Sequence, residues 1–146
     1  MRKRIVAGNW KMNKNHSEAI NLVKEIIDLT YDNSVQLIVI PPSIFVTDIV
    51  EETLSSNIEV GVQNSSQFQI GAYTGELSAT MIKSTGVEYV LVGHSERREC
   101  FKELNVDLAL KVNQLLKNDL TPIYCCGEKL EEREKENHFN LIKSQI

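Results

Sequence analysis

Tyr89-Val90-Leu91-Val92-Gly93-His94-Ser95-Glu96-Arg97-Arg98 sets the pattern for the whole chain. Four apolar residues in a row end at a glycine. A polar, charged stretch that reads as the first turn of a helix follows at once. A continuous apolar run bounded in this way fits a strand buried on both faces of a parallel sheet. The same reading applies to four other runs: Ile5–Gly8, Leu37–Ile40, Glu59–Val62 and Thr121–Cys125. Pro41-Pro42 stops the second of them, because proline cannot donate to a ladder.

Helical patterns fill the intervals. Asn15 to Thr30 carries Ala19, Ile20, Leu22, Val23, Ile26 and Ile27 at helical spacing, and Asn15 with Glu18 forms a capping-box signature. Ser43 is placed to cap a helix whose buried stripe is Phe45, Val46, Ile49, Val50 and Leu54. Ser78 to Ser84 is a short helix. Asn105 to Asn118 is a longer one, with Val106, Ala109, Leu110, Val112 and Leu116 expected on its inner side. Lys129 to Ile146 is expected to be one helix, charged at its start and apolar at Leu141, Ile142 and Ile146. Gln63 to Glu76 is polar and glycine-containing, a long loop of the kind that is often functional. Five strand–helix units in series imply a parallel sheet covered by helices. No repeat, low-complexity linker or shift of composition divides the chain, so residues 1–146 read as one domain.

The composition excludes several function classes. The 146 residues carry 20 acidic and 16 basic side chains, a net charge of −4, without the basic excess of a nucleic-acid binder. No apolar run approaches the roughly 18 residues of a membrane span. The basic start Met1-Arg2-Lys3-Arg4 lacks the apolar stretch of a signal peptide. Cys100, Cys125 and Cys126 have no metal-ligand spacing, and their odd number fits a reducing cytoplasm better than a disulfide framework. Cys125 and Cys126 are read as two small buried residues, since a bridge between neighbours is strained.

Chemistry in parallel α/β sheets collects beyond the C-terminal ends of the strands. Asn9-Trp10-Lys11 follows the first run, Gln63-Asn64 the third, His94 to Arg98 the fourth and Cys126-Gly127-Glu128 the fifth. Lys11 is a solvated lysine or a cation that attracts an anionic substrate. Asn9 orients an oxygen or holds the turn. His94 alone of the three histidines directly follows a strand, whereas His16 and His138 read as exposed. At the start of a helix a histidine is held neutral and can donate a hydrogen bond to a carbonyl or enolate oxygen. Glu96 either sits favourably in a first helical turn or partners Lys11 across the sheet mouth. Arg97 and Arg98 bind an anion or pair with carboxylates such as Glu99 and Glu128. Glu131 to Glu136 is a solvated face laced with ion pairs.

Taken together, Ala7-Gly8-Asn9-Trp10-Lys11-Met12-Asn13, Gly75-Glu76, Tyr89 to Arg98, and Cys126-Gly127-Glu128 with Leu130-Glu131-Glu132-Arg133-Glu134 closely resemble the triosephosphate isomerase family. The first and third segments are highly specific, and the resemblance runs along the whole chain. It implies a TIM (β/α)₈ barrel that interconverts dihydroxyacetone phosphate and glyceraldehyde 3-phosphate through an enediolate, in glycolysis and gluconeogenesis, with no cofactor and no metal. It implies that Asn9 and Lys11 bind substrate and that Lys11 stabilises the enediolate charge. His94 is implied as the neutral electrophile, an arrangement for which this family is the reference case. Glu96 is implied as the supporting carboxylate. The loop around Thr74 is implied to reach into a second subunit, making a homodimer. A barrel of this kind takes roughly 250 residues. Five units in 146 residues are about 29 each, so eight need about 234. The chain is therefore expected to be a partial barrel of five parallel units. The family's base, a glutamate after the sixth strand, and its phosphate-gripping turns lie outside those units.

Overall fold

Apolar alternation against two different layers is what makes the strands. The computed structural model describes residues 3–29 and 32–146. Its strands are β1 (Arg4–Asn9), β2 (Val35–Ile40), β3 (Ile58–Val62), β4 (Tyr89–Val92) and β5 (Thr121–Tyr124), all parallel and ordered β1-β2-β3-β4-β5. Each strand pairs with the next in sequence, from Asn9 opposite Ile40 to Val92 opposite Tyr124. The result is a curled half-barrel, five units of a (β/α)₈ design.

Along β2 and β4 successive side chains alternate between two buried clusters. Val39, Val90 and Val92 face the helices in the main core with Val23, Ile49, Leu108 and Leu115. Ile38, Ile40 and Leu91 form a smaller cluster on the other face, joined by Tyr89 and Ile123. Burial on both faces is why these strands read as unbroken apolar runs rather than as alternation.

The helices are α1 (His16–Ile27), α2 (Val46–Thr53), α3 (Ala79–Ser84), α4 (Ser95–Cys100), α5 (Asn105–Lys117), α6 (Leu130–Glu134) and α7 (His138–Gln145). Asn15 caps α1 in a full capping box with Glu18, and Ser78 caps α3. The expected end of the first helix at Thr30 lies outside the described residues.

Four helical expectations are corrected. Ser43 does not cap α2: after Pro42 the chain makes a 3₁₀ turn over Ser43–Phe45, and α2 then starts at Val46 with no side-chain cap. Leu54 lies just past α2 and is 77% exposed, outside the packed stripe. The inner face of α5 is Leu108, Lys111 and Leu115, whereas Val106, Ala109, Leu110 and Leu116 are exposed. The segment from Lys129 to Ile146 is two helices. Glu136 takes φ 56, and the Asn137 and Glu136 N–H groups bond back to the Glu132 and Arg133 carbonyls. That is a Schellman closure, which ends α6 because a left-handed residue cannot continue a right-handed helix. His138 then starts α7 half-buried rather than exposed.

β1 and β5 are the two edges of the sheet, and Ile5 and Val6 of β1 are 52% and 57% exposed. Unpaired strand edges beside apolar side chains invite association. The isolated 146-residue chain is therefore expected to bind an apolar dye and to self-associate as its concentration rises. A chain that stays a monodisperse monomer as its concentration rises and binds no dye would contradict this. Among the described residues, no helix is long and apolar enough to cross a membrane.

Candidate functional site

The parallel order brings the ends of β1, β3, β4 and β5 to one mouth, and the candidate residues meet there. Lys11 follows β1 in a left-handed conformation, φ 55, which is costly for a residue with a Cβ. Two side chains hold it there. Asn9 Oδ1 accepts from the Lys11 N–H at 3.0 Å. Gln63 Nε2, just beyond β3, donates to the Lys11 carbonyl at 2.9 Å and to the Ile40 carbonyl at 3.2 Å. Asn9 thus holds the turn, one of its two sequence readings. Gln63 had been noted only for its place after a strand.

Turned in this way, Lys11 extends its ammonium across the mouth to Glu96, with Nζ 2.7 Å from Oε1 and both side chains half-exposed. Glu96 is the second residue of α4, and His94 is that helix's N-cap. His94 Nδ1 lies 3.4 Å from the Glu96 N–H and 3.3 Å from Glu96 Oε2. Nδ1 accepts from the Glu96 N–H at the start of α4. In a neutral ring that bond leaves Nε2 as the donor. Lys11, 85 residues before Glu96, thus joins it and the nearby His94 in one chain of contacts: ammonium, carboxylate, imidazole.

The hydrogen bond from Lys11, reinforced by the Lys11 charge, lowers the Glu96 pKa below its ordinary value. A carboxylate depressed on folding contributes stability above its unfolded pKa and loses it as pH falls through the folded value. The Lys11–Glu96 pair is expected to persist well below neutrality and to open only below the ordinary carboxylate range. A carbon-13 titration of the Glu96 carboxyl measures this, and a midpoint at or above about 4.3 would contradict it.

Arg97 pairs with a carboxylate, one of its two sequence readings, but with neither Glu99 nor Glu128. Arg97 Nε donates to Glu103 at 2.6 Å, and its guanidinium lies 4.7 Å from the Phe101 ring centroid. Glu99 pairs with Lys129 and Glu128 with Arg133 instead. Arg98 turns inward to the β4 and β5 ends. Glu103 also accepts from Lys111 at 2.6 Å, and Lys111 donates to Asn64 at 2.8 Å. This cluster ties α5 to the loop after β3. Its one sequence signal was Lys111 lying at helical spacing between Leu108 and Leu115.

Cys125 is half-buried, and desolvation raises its thiol pKa. Cys126 is exposed, not buried as expected, and lines a cleft of about 830 Å³ with His94 and Arg98. All three thiols are free. Thr74 lies apart from the mouth, exposed in a turn closed by the Glu76 N–H on the Tyr73 carbonyl. Gly75 supplies that turn's positive φ of 91°. The loop itself is braced by Phe68 stacked on Tyr73, centroids 4.0 Å apart.

Comparison with known proteins bears on the same residues. The triosephosphate isomerase of Flavobacterium psychrophilum is 45% identical to this chain over 147 residues, and that of Alkaliphilus oremlandii is 45% identical over 146. Each comparison takes in 100% of this chain and 59% of the relative. The enzyme of Caldanaerobacter subterraneus is 45% identical over 145 residues, 99% of this chain and 58% of its own length. The chain thus spans about 59% of the length of the curated relatives it matches. The family profile described as triosephosphate isomerase matches residues 4–146, taking in the Lys11, Glu96 and His94 segments together. With five parallel units beneath that mouth, the chain belongs to the triosephosphate isomerase family.

Proposed function

We propose that these residues form the electrophilic half of an isomerase site that interconverts dihydroxyacetone phosphate and glyceraldehyde 3-phosphate. The observation that carries this reading is the 2.7 Å contact between Lys11 and Glu96 beside an imidazole whose Nδ1 is already occupied. In this reading the neutral His94 donates from Nε2 to the substrate carbonyl oxygen and polarises it. As the proton leaves the adjacent carbon, charge gathers on that oxygen as an enediolate. The Lys11 ammonium, held by Glu96, stabilises that charge and attracts the phosphorylated triose. Asn9 assists binding by holding the backbone from which Lys11 projects. The reaction moves protons within one molecule, so this mechanism uses no cofactor and no metal.

Within the same proposal residues 1–146 act as one domain, and the protein works in the cytoplasm as a homodimer. The loop bearing Thr74 is the segment that reaches the second subunit. Its exposed Ile70 and half-exposed Tyr73 support that reading.

The base that the family resemblance implies is not among these residues, and neither Glu96 nor Glu128 takes its place. General acid–base catalysis contributes about 10²–10⁴-fold per group. The 146-residue chain alone is expected to bind dihydroxyacetone phosphate weakly, moving the NMR signals of His94, and to turn it over poorly or not at all. Lys11→Met should abolish that response. A parent chain whose His94 signals ignore the ligand would overturn the substrate reading, and turnover near the diffusional ceiling would overturn the expected lack of a base. The open edges at β1 and β5 support a second reading, in which a further segment or chain completes the barrel and restores turnover.

A further inference from the structure

We propose that Arg98 is a positioning residue for His94, coupling the β4 mouth to the β5 mouth. This rests on the reading of His94 as the electrophile.

Arg98 is the fourth residue of α4, two after Glu96, yet its side chain runs back beneath the turn that carries His94. Its Nε donates to the Gly93 carbonyl at 2.7 Å. Nη2 donates to the Cys125 carbonyl at 3.1 Å and the Tyr124 hydroxyl at 3.2 Å, and Nη1 donates to Asn105 Oδ1 at 2.7 Å. A planar guanidinium presents its donors in a fixed fork, so four bonds from one head fix its position in all directions. Three of these acceptors lie on different elements: the end of β4, the end of β5 and the start of α5. The Gly93 carbonyl belongs to the peptide that joins directly to His94. Holding that oxygen fixes the peptide plane, and with it the direction in which His94 leaves the strand. Gly93 itself has φ 75, a conformation from which the peptide could otherwise rotate.

The acceptors are themselves held. The Tyr124 hydroxyl donates to the Gln145 carbonyl, and Asn105 Nδ2 donates to the Ser144 carbonyl at 2.7 Å. The end of α7 therefore braces the groups that orient Arg98. A lysine at this position keeps the charge but offers a single head atom, which cannot span Gly93, Cys125 and Asn105 together.

The test uses the full 146-residue chain labelled with nitrogen-15 in histidine, with the His94 signals assigned by their loss in His94→Gln. In the parent, the two ring nitrogens of His94 should be widely separated, the mark of one fixed tautomer. In Arg98→Ala that separation should collapse toward the narrower value of a tautomer mixture, while the rings of His16 and His138 stay unchanged. Arg98→Lys should show a partial collapse, and it decides the matter if the alanine variant does not fold. A residue that served stability alone would shift the unfolding midpoint without moving the His94 separation. An unchanged separation in a folded Arg98→Ala or Arg98→Lys chain overturns the proposal. Tautomer is read without ligand, so a parent that fails to respond to dihydroxyacetone phosphate counts against the substrate reading alone.

Discussion

Glu103→Gln is expected to destabilise the chain by about 3–5 kcal/mol, the cost of removing one partner from a buried ion pair. Lys111 is 5% exposed, and its Nζ rests on Glu103 Oε1 at 2.6 Å and Asn64 Oδ1 at 2.8 Å. Arg97 shares the same carboxylate oxygen at 2.6 Å. Glutamine keeps the shape but removes the carboxylate charge that both cations contact. Its NH₂ must then point at those cations or fill the place of Oε2, a buried atom with no hydrogen-bond partner. Neither orientation satisfies both the amide and the buried ammonium. For a chain of this size the loss corresponds to a fall of roughly 10 °C or more in the melting midpoint. Lys111→Met should cost less, because Glu103 keeps Arg97. The double variant should cost less than the sum of the two, with a coupling of about 0.5–3 kcal/mol. Denaturant and thermal unfolding of the four chains measure this, and a Glu103→Gln midpoint within about 2 °C of the parent would refute it.

Gly93→Ala is the second large effect. At φ 75 an added Cβ costs about 1–2 kcal/mol in backbone conformation alone. Here it would also stand 2.8 Å from Leu108 Cδ1 and 2.9 Å from Arg98 Nη2. Both are side-chain ends, but neither can yield cheaply. Leu108 is fully buried in the main core, and Arg98 is held by four hydrogen bonds. Overpacking adds about 1–3 kcal/mol to the conformational cost. Two other glycines separate these contributions. Gly75 has φ 91 with nothing near its Cβ position, so Gly75→Ala should show the conformational cost alone. Gly127 has open space and no positive φ, so Gly127→Ala should be close to neutral. Unfolding midpoints should fall in the order Gly93, Gly75, Gly127, and equal losses at Gly93 and Gly75 would remove the packing argument.

The strands were readable because burial on both faces leaves a one-dimensional trace. Tyr89–Val92 matched its expected limits, and the other four shifted by one or two residues. The helix faces were less readable wherever a charge lay on the inner side. In α5 the apolar residues Val106, Leu110 and Leu116 outcompeted Leu108, Lys111 and Leu115 as a stripe, because a lysine normally marks the outside. Its burial depends on Glu103, a partner eight residues earlier and before the helix. The break after α6 was hidden for a similar reason. It rests on Glu136 taking a left-handed conformation usually left to glycine.

Local order in the chain was enough to determine the alternation of strands and helices, the parallel sheet, and the placement of Lys11, Glu96 and His94 just beyond strand ends. Those features follow from periodicity and from the position of polar residues after apolar runs, and both are written in neighbouring residues. The tertiary structure alone decided which groups touch. Lys11 and Glu96 are 85 residues apart, and Gln63 reaches Lys11 across 52. Arg98 bypasses the carboxylates beside it in sequence for backbone oxygens at the ends of β4 and β5. Such choices depend on which strand ends the sheet brings together and on how much solvent remains around each charge. A hydrogen bond or ion pair is set by distance and burial in space, and neither is carried by the spacing of residues along the chain.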